Sequence, residues 1–115
     1  MNDTVSLKCN GYFLRLYRTG ETVTGRFLVL YFKKNNVNHN RLGITVSKKV
    51  GKAVVRNRVR RLIRENYRIN EDKLLQGYDI IFVSRVRGAT ADFHMIGKEI
   101  IDHLSKAKLL KENDL

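Results

Sequence analysis

The chain has 115 residues, with 23 Lys and Arg against 11 Asp and Glu, for a formal net charge of +12. That length suits one domain with one core, and 43% hydrophobic residues are too many for a disordered basic tail. The longest apolar run, residues 27–32, is far too short for a membrane span, residues 1–4 do not open like a secretory signal, and the lone Cys9 fits a reducing compartment, so a cytoplasmic protein with no membrane partner is expected.

The first expected element is a helix over 11–19. Asn10 can accept a backbone N–H at its start, Gly20 can end it, and Phe13, Leu16 and Tyr17 share one face. Spacing alone assigns that face to the core. Residues 22–24 read as a short edge strand. A second strand over 27–32 turns Val29 and Tyr31 to one side and Leu28, Leu30 and Phe32 to the other. After an Asn-rich turn at 35–40, a strand over 41–48 alternates cleanly. Leu42, Ile44 and Val46 face one way, and Gly43, Thr45 and Ser47 face the other. This second side is built only of small residues, which leaves room for something to lie on it.

Gly51 punctuates, and a helix over 53–68 follows. Val55, Val59, Leu62 and Ile63 form its apolar stripe, Asn57, Arg60, Arg61, Arg64 and Arg68 point away, and Arg56 and Arg58 flank the stripe. Tyr78–Ser84 reads as a last, largely buried strand. A third helix from Thr90 or Ala91 carries an apolar face of Phe93, Ile96, Ile100, Ile101 and Leu104, interrupted by Gly97. The C-terminal end is expected to fray.

The charge is not spread evenly along these elements. No acidic residue occurs between Glu21 and Glu65, and the twelve basic residues of that interval account for the whole net charge; the rest holds eleven of each sign. A concentrated positive field attracts polyanions, and nucleic acid is the commonest one. The arginines from Arg56 to Arg68 share their helix with one carboxylate, Glu65, so they cannot all pair within it. Guanidinium groups prefer bidentate phosphate contact, which favours binding over a merely solvated face. Such dense like charge is also expected to make folding respond to sulfate or phosphate.

No self-sufficient active site emerges. His39 reads as a loop residue, His94 as a helix-start residue and His103 as a helix-surface residue, in no ligand spacing with Cys9 or a carboxylate pair. Asp72 and Asp79 have no evident partner, and no phosphate loop, metalloprotease motif or nucleophile elbow occurs. A two-metal nuclease needs clustered carboxylates, and the basic interval has none, so the chain is expected to bind rather than cut. The residues leave open an RNA-binding protein such as a ribosomal component, a DNA-binding regulator, or a stand-alone nuclease. A strand, rather than the first half of a helix–turn–helix, precedes residue 53, which counts against the DNA reading.

The block Ser47-Lys48-Lys49-Val50-Gly51-Lys52-Ala53-Val54-Val55-Arg56-Asn57-Arg58-Val59-Arg60-Arg61-Leu62-Ile63-Arg64 resembles the signature of the bacterial ribonuclease P protein subunit. Phe13, Tyr17 and Gly20 stand where that family has its first-helix aromatics and closing glycine. Residues 26–31 and Tyr78-Asp79-Ile80-Ile81 resemble two of its strands. The resemblance implies one α+β domain over 1–115, a two-layer αβββαβα sandwich with three helices and a four-stranded mixed sheet. It also implies a left-handed βαβ crossover through the arginine helix, against the right-handed default.

In function, the resemblance implies the RNA-binding subunit of an endoribonuclease that removes the 5′ leader from precursor tRNA. The catalytic RNA subunit, paired 1:1 with the protein, would perform hydrolysis with Mg²⁺; the protein alone would bind no cofactor and supply no catalytic side chain. Carried over by position, Arg56, Asn57, Arg58, Arg60, Arg61 and Arg64 would face the catalytic RNA, extended by Lys48, Lys49 and Lys52. A cleft between the first helix and the sheet would hold the leader, using Phe13, Tyr17, Tyr31, Thr45, Ser47 and Arg56. This reverses the assignment of the aromatics to the core. The chain departs from the family at its ends: residues 6–12 hold a single basic residue, Lys8, and residues 111–115 are not a basic tail.

Overall fold

Strand alternation and helix stripes of this kind can be satisfied together only by a sheet with apolar helices on one side. The computed structural model describes residues 4–7 and 10–111; residues 1–3, Lys8, Cys9 and residues 112–115, on which the secretory-signal, lead-in, redox and fraying expectations bear, lie outside them. The elements are β1 (Val5–Ser6), α1 (Asn10–Thr19), β2 (Glu21–Thr24), β3 (Leu28–Lys34), β4 (Arg41–Thr45), α2 (Ala53–Asn70), β5 (Tyr78–Ser84) and α3 (Phe93–Lys106). Short 3-10 turns occupy Lys48–Val50, Glu71–Lys73 and Val86–Thr90.

The sheet runs in the order β1-β4-β5-β3-β2. β2–β3 and β3–β5 pair antiparallel, whereas β4–β5 and β1–β4 pair parallel, with α2 forming the connection from β4 to β5. The sheet therefore has five strands, not the expected four. The addition is β1, which pairs Val5 with Arg41 and Ser6 with Leu42 on what would otherwise be an open edge. Two exposed residues carry no periodic signal; what makes them a strand is pairing with β4, seen also in the Val5 N–H to Asn40 and Leu7 N–H to Leu42 carbonyl bonds.

Several boundaries also move: Asn10 is the first residue of α1 rather than its cap, β3 runs over Leu28–Lys34 rather than 27–32, and α2 continues to Asn70 rather than 68. β4 stops at Thr45 because the chain turns into the Lys48–Val50 3-10 segment, where the Val50 N–H bonds to the Ser47 carbonyl. Val46 nevertheless keeps its place in the alternation and is buried in the core. α3 begins at Phe93 rather than at 90 or 91, because Asp92 is the cap: its carboxylate accepts the Met95 N–H at 2.8 Å.

Leu28, Leu30, Phe32, Leu42, Ile80 and Phe82 form the core face of the sheet, covered by Val59, Ile63 and Tyr67 of α2 and by Ile96, Ile100 and Leu104 of α3. Each such side chain contributes about 1.5–3 kcal/mol through burial. Gly97 interrupts the α3 stripe for a steric reason: a Cβ there would come within 2.5 Å of Asn66 Oδ1, so the two helices approach only over a glycine. Asn66 in turn donates to the Leu62 and Phe93 carbonyls. Phe93 itself, expected on the apolar face, is exposed at the first turn of α3.

His103 is a clear correction. Instead of lying on the helix surface it is buried, its ring stacked on Phe82 at 6.5 Å between centroids. Burial pushes its pKa down, opposed by Glu99, whose carboxylate lies 3.6 Å from Nε2. Glu99 fixes the entry to β3 by accepting the N–H groups of Arg26, Phe27 and Leu28. The signal for His103 was present in the i, i+4, i+7 series of Ile96, Ile100 and His103.

Candidate nucleic-acid interface

The other side of the sheet is covered by one ten-residue helix. Cross-strand register organises it into rows. Tyr31, Ile81 and Gly43 form a middle row, and Val29, Val83 and Thr45 form the next. α1 lies over the middle row. Leu16 packs with Leu7 and Ile81, while Phe13 sits directly above Gly43, where a Cβ would approach its Cζ to 2.5 Å. Gly43 is thus small because an aromatic ring occupies the space above it. The Tyr17 hydroxyl meets the Thr45 hydroxyl at 2.9 Å, and its ring makes an edge contact with Tyr31 at 4.8 Å between centroids. Phe13 and Tyr17 are 6.3 Å apart in a second edge contact.

These aromatics are neither core nor free surface. Phe13, Tyr17, Tyr31 and Thr45 are all half-buried, each leaving part of its side chain to solvent beside the row of Val29, Val83 and Thr45. The floor continues past α1 into a recess of about 490 Å³ lined by Ser47, Lys49, Val83, Arg85 and Arg87. Arg85 is held there by its bond to the Gly25 carbonyl at 2.7 Å. The result is an apolar floor with aromatic edges at one end and cations at the other. That combination suits a single-stranded nucleic acid, whose bases stack while its phosphates pair with charge.

α2 presents its arginines in three different states. Arg56, Arg58 and Arg60 are half-buried and spend donors on the protein: Arg56 Nε on the Gly51 carbonyl, Arg58 on the Ala89 and Ala91 carbonyls, and Arg60 on Asn57 Oδ1 and the Val46 carbonyl. Arg68 pairs with Glu65 at 2.9 Å and holds that carboxyl below the usual carboxylate range. Arg61 and Arg64 are exposed and make no hydrogen bond or ion pair with the described residues. Lys48, Lys49, Lys52 and Asn57 are exposed as well and continue this basic surface toward the recess. Among the described residues, no three His, Cys, Asp or Glu side chains come together as a metal-binding group, and no helix is long and apolar enough to cross a membrane.

The ribonuclease P family profile matches residues 1–108. The chain belongs to the ribonuclease P protein family. It is 43% identical over 113 residues to the ribonuclease P protein component of Natranaerobius thermophilus, covering 98% of each chain. Against that of Clostridium botulinum strain Loch Maree it is 49% identical over 102 residues, 88% of this chain and 92% of the relative. The solved RNase P protein of Staphylococcus aureus superposes with a TM-score of 0.85 at 36% identity, over 92% of this chain and 97% of that one. The Thermotoga maritima protein does so with a TM-score of 0.78 at 30% identity, over 84% and 92%. This chain is accordingly a protein component of ribonuclease P, a tRNA-processing ribonucleoprotein endoribonuclease, and its associates are an RNA subunit and a tRNA substrate.

Within this ribonuclease P protein, the structure brings together four of the six residues assigned to the leader cleft: Phe13, Tyr17, Tyr31 and Thr45. Ser47 lies further along the same face in the cationic recess. Arg56 is held at the entry to α2 by the Gly51 carbonyl. Sequence reasoning missed Val83, Arg85 and Arg87, which share the recess. The signal for the first two was period-two alternation from Ile81, which puts Val83 and Arg85 on the same face of the strand and its extension. Asp79, which had no evident partner in the sequence, is paired by Arg41 across β4 and β5 at 2.6 Å.

Proposed function

We propose that this protein positions two RNAs at once. The outward face of α2, with Arg61 and Arg64 and the neighbouring Lys48, Lys49 and Lys52, docks on the catalytic RNA subunit. The open sheet face holds the single-stranded 5′ leader of precursor tRNA, with Phe13, Tyr17 and Tyr31 as stacking groups and Thr45, Ser47, Arg85 and Arg87 as polar and cationic contacts. The Arg56, Asn57, Arg58 and Arg60 side chains frame the docking face, those of Arg56, Arg58 and Arg60 partly through their own backbone bonds. Hydrolysis belongs to the RNA subunit and its Mg²⁺; the protein's role is to fix the scissile phosphate by holding RNA on both sides of it. The protein acts as one domain, 1:1 with its RNA, in the cytoplasm, and the β4–α2–β5 crossover has the family's left-handed sense.

The observation that carries this reading is the half-exposed Phe13–Tyr17–Tyr31 group above a floor of Gly43, Thr45 and Val83. A purely structural cluster would have closed over these rings, since leaving such surface wet forgoes about 25 cal/mol per Å². The test is to add the purified chain to a bacterial catalytic RNA and precursor tRNA at low Mg²⁺. Stimulated 5′ cleavage is expected. Cleavage by the protein alone, or no stimulation together with tight ribosomal-RNA or duplex-DNA binding, would overturn the assignment.

A further inference from the structure

Lys33, Lys34 and Arg41 belong to the acid-free interval, yet neither the arginine helix nor the cleft uses them. They converge on the far side of α1. Register aligns Lys33 with Asp79 and Asp79 with Arg41, a row two residues from the Tyr31–Ile81–Gly43 row that α1 covers and on the opposite side from the cleft. Together with Tyr12 and Arg15 of α1, they line a pocket of about 210 Å³.

The charge in this pocket is unbalanced. Asp79 is the single carboxylate among the lining residues, and it is fully engaged: Arg41 donates through Nε at 2.6 Å and Nη2 at 2.9 Å, and Asn35 Nδ2 donates at 3.0 Å. The Arg41 guanidinium is further fixed 4.7 Å from the centre of the Tyr12 ring, which the Arg15 guanidinium also approaches, at 6.0 Å. This is a rigid wall with its negative charge neutralised, so it does not repel an anion. Arg15, Lys33 and Lys34 are then surplus positive charge at an exposed mouth, Lys33 being oriented by a 3.1 Å bond to the Thr19 hydroxyl. A guanidinium and two ammonium groups around an open polar pocket match the spaced charges of a phosphodiester chain.

We propose that this pocket is a further RNA-phosphate site, distinct from the cleft and from the arginine helix, with Arg15 and Lys34 as its principal contacts. Two strands could supply the phosphates: the leader beyond the cleft, or a single-stranded segment of the RNA subunit. The leader assignment rests on the cleft reading above. Rows two residues apart on a strand are separated by about 7 Å, so the pocket lies about 13 Å from the Thr45–Val83 row, a gap that a few extended nucleotides span.

The test uses the reconstituted holoenzyme carrying R15A/K34A, with two precursor tRNAs, one whose leader ends within the cleft and one extended at its 5′ end. If the leader supplies the phosphates, affinity for the long-leader substrate falls by about tenfold and its log–log salt slope by about 1.4, while the short-leader substrate is unchanged. If the RNA subunit supplies them, assembly with that RNA weakens by about tenfold and both substrates bind the assembled enzyme normally. Lys34→Glu deepens whichever loss is seen, and an unchanged melting curve shows that the effect is not unfolding. Long-leader affinity and assembly both at wild-type values would overturn the proposal. Tyr17→Ala is run in parallel: if it leaves leader binding intact while R15A/K34A weakens it, the cleft reading fails and the pocket stands.

Discussion

The two faces of the central sheet are made by the same strands but do different work. Toward α2 and α3, Leu28, Leu30, Ile80 and Phe82 have no accessible surface, and two long helices seal the face. Toward α1, Val29, Tyr31, Thr45 and Val83 stay half-buried under a single short helix. Because successive residues of a strand point to opposite sides, one stretch such as 28–32 can serve stability and binding in alternate positions. The sealed face carries the free energy of folding. The open face gives up part of that gain to keep an aromatic-edged surface available, so substitutions on the two faces should fail in different ways.

The largest expected effect is on the sealed face. Phe82→Ala should destabilise the protein by about 3–5 kcal/mol in denaturant unfolding, with little change in leader affinity for the molecules that remain folded. A loss of leader binding equal to the loss of stability would erase the distinction between the faces. On the open face, Gly43→Val drives a side chain into the space of Phe13 and must lift α1. Overpacking of this kind costs about 1–3 kcal/mol, but the larger consequence should be weaker binding of precursor tRNA. Normal precursor affinity in that variant would show that the position of α1 does not define the cleft.

The smallest effects separate the arginines of α2. Arg58→Ala removes donors to the Ala89 and Ala91 carbonyls, so it should cost about 1–3 kcal/mol of stability besides weakening docking on the RNA subunit. Arg61→Ala should leave the melting curve unchanged and lower the salt slope for RNA-subunit binding by about 0.9. Equal melting curves for the two variants would mean that the carbonyl contacts of Arg58 contribute nothing.

Much of this division was legible in the sequence. The alternation of Leu42, Ile44 and Val46 against Gly43, Thr45 and Ser47 gave the two faces, and the stripe of Val55, Val59, Leu62 and Ile63 oriented the arginine helix. Both are local patterns, repeated within a few residues. What stayed hidden depends on contacts distant in the chain. β1 exists only because β4 has an open edge. The Arg41–Asp79 pair needs the register of two parallel strands, and the partners of Arg58 are carbonyls of a turn more than thirty residues away. Spacing alone would have put Phe13 and Tyr17 in the core, and it was half right: they pack on Ile81 and the sheet, yet the helix carrying them is too short to close the face.

Capture of the leader by the open face can be tested with Tyr17→Ala. Tyr17 touches both Tyr31 and Thr45, so its loss should open the aromatic group without disturbing α2. In the reconstituted holoenzyme, affinity should be measured for precursor tRNA and for mature tRNA lacking a leader. Tyr17→Ala should weaken precursor binding while mature-tRNA binding stays at its wild-type value. An equal loss for both would mean that the open face does not hold the leader.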